Sequence, residues 1–531
     1  MQSVAKEPFV FSRVLLLGFE SAKTKRGLFG VLLLVGASVL LSAVIVLSGG
    51  NVLAGAAFLA LLIVVFVTLY RVDWGLYLLV FLVFFFDQFA PPGYPALGYE
   101  VGYFRNLNAI QYLPTIKEGV VTPMELQLFL IFFVWVLTAA LRKDVQLIPV
   151  PLKFTAVTFF LAVTGAVVYG QARGGDFVAA LWEVRGLFYL GILFFFVPQV
   201  IQTQKQIQTL IWVCIAGISF KAFQGAWRFA ANGFSFGWWP NIVETYTNHE
   251  DPVFFITLFM LLSALSLFGG EPRQRRALTL LLIPLVLGYI AAQRRATYIS
   301  LLVTLAAFIV LMPKKERWIT MKVAGAFLLI FVVYLGVFWN SNSKLGLVAV
   351  QFKSTITDEG GVRGEKDLLS KLYRDGENYD LATTFRSEPF IGIGFGKAYE
   401  MVVRLWGADA MKLGSYVPHN QILWIFVKMG IIGGFLFWFF FNSFVFRTAM
   451  IFSKLTQPYL KVVCIICVIS VVGQLVVSYV DMQLNWTRNM VHLGLLMGLV
   501  PTIEHLDKTT HQEGEGGIKP LETNDSSSSH A

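Results

Sequence analysis

Charge is scarce in this sequence, at 14% of 531 residues, and reactive side chains are scarcer, with six histidines and three cysteines. Each shortage excludes something. Cys214, Cys464 and Cys467 all fall in apolar stretches, so neither a disulfide framework nor a zinc site is supported. The CxxC spacing of Cys464 and Cys467 reads as packing within a helix. No cluster of metal-ligand residues stands out, and no cofactor is expected. The formal net charge of +10 suggests anionic partners. Its basic residues lie mostly in short loops between apolar runs, where membrane orientation explains them, so nucleic acid is not expected.

What is abundant is apolar surface. Hydrophobic residues make up 56% of the chain and aromatics 15%, and the mean hydropathy is +0.68. Runs such as "LFGVLLLVGASVLLSAVIVLS" (28–48) reach the roughly 20 residues that a helix needs to cross a bilayer. They do not alternate as barrel strands do. The fold class is therefore all-α, a polytopic integral membrane protein with about 12 to 14 transmembrane helices. Fourteen apolar segments are legible, the third (74–89) being short. The first is too long for a signal-peptide core and reads as a retained span.

Basic loops set the orientation. With the amino terminus in the cytoplasm, the inner loops hold Arg142, Lys143, Arg273, Arg275, Arg276, Lys314, Lys315, Arg317, Arg447 and Lys454. Few basic residues remain for the short outer loops, among them Arg294, Arg295 and Arg488, and this bias places both ends inside. The expected organisation is a cytoplasmic segment 1–27, transmembrane helices over 28–339, a large extracytoplasmic loop 340–418, further transmembrane helices over 419–503, and a disordered cytoplasmic tail 504–531.

This topology gathers the chemically interesting residues on the outer side. His419 opens a span at its outer end, Arg294 and Arg295 form an outer turn, and Arg374 and Arg386 lie in the long loop. Glu183 and Arg185 sit in the outer half of one span, Lys221 near the outer end of the next, and His249 just ahead of the following one. Charge within a span costs about 2.5 to 3.5 kcal/mol on insertion scales, so something should compensate. A diphosphate suits, because guanidinium offers it bidentate donors and stays charged. Structural pairing of Arg185 and Glu183 with neighbouring spans, snorkelling of Arg294, Arg295, Lys221 and Lys428, and helix capping by His249 are the plainer alternatives. The phrase "GIGFG" (392–396) lacks the Lys-Ser/Thr of a nucleotide loop and reads as a turn that admits close backbone approach.

Three ordered motifs carry a resemblance. "HNQILWIFVKMGIIGG" (419–434) places His419, Asn420, Gly430 and Gly433 in a His-Asn-x9-Gly-x-x-Gly pattern. "YRDGENYDLATTFRSEPFIGIGFG" (373–396) sets Arg374 ahead of a Pro-x-x-Gly-x-Gly-x-Gly turn at Pro389, Gly392, Gly394 and Gly396, and "QRRATYISLLV" (293–303) opens a span. Together these resemble the O-antigen ligase and O-antigen polymerase-like family of membrane glycosyltransferases. Gln293 or Arg294 stands where that family usually has serine, leaving open which of Arg294 and Arg295 is its arginine.

The resemblance implies a GT-C-like membrane glycosyltransferase in the bacterial inner membrane with its active site facing the periplasm. Its donor would be a polyprenyl-diphosphate-linked glycan and its acceptor a glycan or lipid, with the bilayer as the third partner. An acceptor hydroxyl attacks the anomeric carbon and expels polyprenyl diphosphate, so cations placed against the leaving group favour the transition state. His419, Arg374, Arg295 and Arg294 are the expected catalytic residues, with Arg185, Asn420, Arg386, His249 and Lys221 as substrate-binding ones. Because diphosphate leaves readily, a metal is dispensable. Gly430, Gly433 and Gly434 are expected to let another span pack closely and hold His419 in place. The slight preference is for a polymerase over a ligase. A transporter or flippase of lipid-linked glycans is the alternative, as is a peptidoglycan polymerase of similar architecture but without the histidine pattern.

Overall fold

A computed structural model describes residues 23–515, apart from 90–93, 95–96, 111–119, 143–145, 236–242, 244, 342, 357–360 and 405–412. Among the described residues all regular structure is helical. The principal helices are α1 (Lys23–Leu47), α2 (Val52–Tyr70), α3 (Val72–Phe85), α4 (Pro123–Leu141), α5 (Lys153–Ala172), α6 (Phe177–Val200), α7 (Gln204–Ala231) and α8 (Asp251–Phe268). There follow α9 (Pro272–Leu280), α10 (Leu282–Ala291), α11 (Arg295–Leu311), α12 (Lys314–Phe338), α13 (Leu347–Ile356), α14 (Gly361–Ser387), α15 (Gln421–Lys454), α16 (Pro458–Ser478) and α17 (Thr487–Glu515).

Each of the fourteen apolar segments falls on a helix, but not every helix is long enough to cross a bilayer. Nine described helices meet the length and apolarity of a span, or ten if α9 and α10, bent by 52° at their junction, count as one. Three further apolar stretches, Val35–Leu47 of α1, α3 and α11, fall short of that length among the described residues. For α3 the limit is rise per residue: its 14 residues reach about 21 Å, short of a core about 30 Å thick. The chain leaves α3 at Phe86 and turns to Asp87, so the expected span 74–89 ends early.

α6 and α17 form the centre of the bundle. Gly494 and Gly498, four apart on α17, meet α6 so closely that a Cβ on either would lie 2.7 Å from a carbonyl oxygen, of Leu190 and Leu193 respectively. Small residues at this spacing are how membrane helices gain contact area without a hydrophobic driving force. Beside that pair, α8 and α16 are also mostly buried. The edge is different. Of α12 only Thr320 and Leu335 are buried, and Phe327, Leu328, Leu329 and Ile330 stand exposed, the composition of a lipid-facing surface.

Two tail and loop expectations change or fall outside. Residues 504–515, read as the start of a disordered tail, continue α17 as helix. The segments 1–22 and 516–531 lie outside the described residues.

Candidate functional site

The long connection 340–418 contributes one long helix, α14, and the glycine turn that follows it. That turn explains the break in α15. At Gly430 the backbone has φ 64° and ψ −168°, which interrupts the helical hydrogen bonds. The amides of Ile393 and Gly394 donate to the carbonyls of Val427 and Lys428 at 2.9 and 3.0 Å, while Ile431 and Ile432 donate to the carbonyls of Pro389 and Phe390 at 2.8 and 3.3 Å. The turn thus satisfies backbone groups that a helix break inside a membrane would leave stranded at several kcal/mol each.

Glycine is required on both sides of this junction. Gly394, at φ 84°, abuts the Gly170 backbone of α5, and Gly430 abuts the backbone of Phe390. The expectation of a close-approach turn at 392–396 agrees with this geometry. Gly433 and Gly434 differ from expectation: a Cβ there would meet Met429 and Phe426 of the same helix, across the break, rather than another span.

Below the turn lies a buried ion pair. Lys428 Nζ is 2.5 Å from Glu183 Oε1 on α6, and both side chains are fully buried. Glu183 Oε2 also accepts from the Gly396 amide at 2.5 Å. Lys428 therefore does not snorkel to head groups; it joins α15 to α6 and to the glycine turn.

This scaffold holds the start of α15. Asn420 is the N-cap, its Oδ1 accepting from Leu423 N at 3.0 Å and its Nδ2 donating to Asn378 Oδ1 at 2.9 Å. One residue earlier, the His419 amide donates to Glu377 Oε2 at 2.8 Å, and His419 Nδ1 lies 3.2 Å from both oxygens of Glu377. Tyr373, one turn back on α14, meets the imidazole edge-to-face at 5.7 Å.

His419, Tyr373 and Glu377 line a cavity of about 320 Å³. Its other walls include Trp182 of α6, Gln88, Phe89, Asn248 and His249 from connections, and Asn485 and Trp486 ahead of α17. Aromatic faces beside amide side chains suit a ligand with both apolar ring faces and hydroxyl groups. His249 packs edge-to-face on Trp486 at 5.3 Å.

Three of the candidate residues act electrostatically on one carboxylate. Asp481, buried between α16 and α17, is pushed toward its neutral form by burial, but Arg294, His249 and His419 outweigh this and hold it below the ordinary carboxylate range. Arg294 is the N-cap residue of α11, and the sharp turn into it puts Gln293 at φ 53°. Arg295 is the first residue of α11 and, like Arg294, is half-buried. Arg374, half-buried, follows Tyr373 on α14, about 100° further round the helix.

Other expected site residues are placed elsewhere. Arg185 spends its guanidinium on Glu125 Oε1 at 3.1 Å, Asn106 Oδ1 at 2.9 Å and the Val120 carbonyl at 2.6 Å, which ties α6 to α4 and the loop before it. Lys221 is buried against Asp87 Oδ1 at 2.6 Å, behind the cavity wall that Asn248 provides. Arg386 is exposed in the last turn of α14, about 18 Å along the helix from Arg374. Arg488, expected in an outer loop, is fully buried in α17 between Glu250 and Asp251, at 2.7 and 2.8 Å. Glu377, Asp481 and Trp486 were not singled out from sequence. Glu377 lies three residues after Arg374, but nothing in that spacing says that it faces a histidine 42 positions later.

Residues 278–438 match the family model described as O-Antigen ligase. This region contains α10 through the first half of α15, and with them Arg294, Arg295, Arg374, the glycine turn, and His419 with its helix break. Within a polytopic α-helical bundle the chain thus has a segment similar to the O-antigen ligase family, which supports a membrane-associated, glycan-processing role. No curated protein matches the chain.

Proposed function

We propose that this protein is a GT-C-type glycosyltransferase that transfers or polymerises a polyprenyl-diphosphate-linked oligosaccharide on the extracytoplasmic side of the bacterial inner membrane. The observation that carries this reading is the meeting of His419 and His249 at one cavity, with Arg294 acting on the same carboxylate as both. In this reading a sugar acceptor lies among Trp182, Phe89 and Trp486 with its hydroxyl at His419. Arg294, supported by Arg295 and Arg374, faces the diphosphate as its negative charge grows. Asp481 balances the charge of Arg294. Residues 340–418 form the extracytoplasmic loop, and α14 within it carries one wall of the site.

The placement of the charged groups favours this over a flippase. A carrier needs ionisable groups that face a path through the bilayer, whereas Lys221, Lys428, Glu183 and Arg488 are each locked in buried ion pairs. His419→Ala separates the two. Transfer of the glycan from a polyprenyl diphosphate donor to acceptor is expected to fall at least about 100-fold, with delivery of lipid-linked glycan to the outer leaflet unchanged. Normal transfer in that variant, with delivery lost, would overturn the reading. Glycans from a strain lacking the protein then divide the class: single repeat units signify a lost polymerase, full-length chains retained on carrier a lost ligase.

A further inference from the structure

The contacts of His419 assign it a chemical direction. We infer that Glu377 is a positioning residue that fixes the His419 tautomer, with the proton on Nδ1 and the lone pair on Nε2, so that His419 acts as the general base toward the acceptor hydroxyl. This rests on the proposed reading that His419 meets that hydroxyl.

The argument begins with the carboxylate. Glu377 is 2% exposed, and an ionised carboxylate can only accept hydrogen bonds. One of its oxygens, Oε2, already accepts from the His419 amide at 2.8 Å, which anchors the carboxylate to the backbone of the residue whose ring it meets. Nδ1, at 3.2 Å from both oxygens, must therefore donate. Neutral imidazole has a single N–H, so Nε2 on the opposite edge keeps its lone pair, and the residue is 23% exposed where it lines the cavity. Tyr373, packed edge-to-face at 5.7 Å, restrains the ring from turning over. The charged and titratable groups around the imidazole are Glu377 and Tyr373 from α14 and Asp481 from the connection ahead of α17, the last shared with Arg294 and His249.

The step then balances. The acceptor O–H gives its proton to Nε2 as its oxygen bonds to the anomeric carbon. The bond from that carbon to the diphosphate oxygen breaks, its electron pair leaving with the polyprenyl diphosphate. The imidazolium formed faces Glu377 through its Nδ1–H, so positive charge appears where a carboxylate is already fixed. Oriented by its backbone contact, a glutamine at 377 would place its carbonyl toward the His419 amide and its NH₂ toward Nδ1. That NH₂ favours an accepting Nδ1, with the ring proton on Nε2, over the Nδ1–H form, which keeps only the carbonyl it must share with the amide, and so disfavours the base.

The test uses the full-length protein in lipid nanodiscs with ¹⁵N-labelled histidine and a synthetic polyprenyl-diphosphate-linked oligosaccharide as donor. In wild type the His419 resonances, identified by their loss in His419→Gln, are expected to show the Nδ1–H tautomer. In Glu377→Gln they should switch to Nε2–H, with kcat down about 100-fold or more and the donor KM changed less than about twofold. Glu377→Asp should keep the Nδ1–H tautomer and recover part of kcat. An Nε2–H tautomer in wild type, or wild-type kcat in Glu377→Gln, overturns the assignment. Should Glu377→Gln fail to fold, the wild-type tautomer and the Asp variant decide alone. An active His419→Ala sinks the proposed function itself, whereas an inactive His419→Ala beside a fully active Glu377→Gln sinks only the role of Glu377.

Discussion

Among individual residues, Asp481 shows how a buried carboxylate is kept ionised beside Arg294 and two histidines. Three partners from three parts of the chain, Arg294, His249 and His419, hold its carboxyl below the ordinary range despite burial. A depressed folded pKa means that the unfolded chain binds the proton more readily. The stabilisation is therefore fully present above the ordinary carboxylate pKa, about 3.9, and is lost as pH falls through that value toward the depressed one. Asp481→Asn should lower the thermal midpoint at pH 7 and shrink the fall in midpoint between about pH 5 and 3 relative to wild type. Equal midpoints for the two proteins at pH 7 would show that the contacts contribute nothing. His419 and Arg294 stood out in the sequence because ordered motifs surround them; Asp481 and Glu377 did not, because a lone carboxylate in a polar stretch looks like any solvated one. Arg185 illustrates the converse: its place in a span marked it as costly, yet the compensation is Glu125, Asn106 and Val120 rather than a ligand.

At the scale of elements, the glycine turn and the broken helix α15 are one device. Gly430 opens the helix, and residues 389–394 supply the backbone partners that the opening removes. This explains physically why two glycine motifs, separated by a loop, occur in one chain: neither conformation is affordable in a membrane without the other. Gly394→Ala adds a Cβ at φ 84° against the Gly170 backbone, and strain plus lost docking should lower stability by at least about 2 kcal/mol and reduce transfer activity. Gly36→Ala, where no atom lies within 4 Å, is the matched control and should leave the melting midpoint and activity unchanged. An equal response of both variants would refute the clamp. The motif spacing identified these glycines, but which backbone each one approaches is a matter of hydrogen bonds between segments far apart in sequence. Gly433 and Gly434 show the limit, since clustered glycines suggested a neighbouring span and the crowding comes from Met429 and Phe426 instead.

Considered as a whole molecule, the chain combines a covered centre with a lipid-facing edge, and its proposed orientation rests on loop charge. Three buried native cysteines leave a low background for labelling. Cysteines introduced at the exposed positions Lys344 and Arg275 should respond oppositely to a membrane-impermeant maleimide on intact spheroplasts, with Lys344→Cys labelled and Arg275→Cys protected until the membrane is opened. The reverse pattern would put the cavity on the cytoplasmic side and remove the periplasmic site. Length and hydropathy determined that this is an α-helical membrane protein and where its apolar helices lie, because burial in lipid imposes a composition that can be read residue by residue, while ordered motifs marked which histidine and arginines merit attention. Tertiary structure decided which helices are too short to cross alone, which charges cancel in buried pairs, and which carboxylate faces His419, because each of those is set by a distance between residues that sequence separation does not encode.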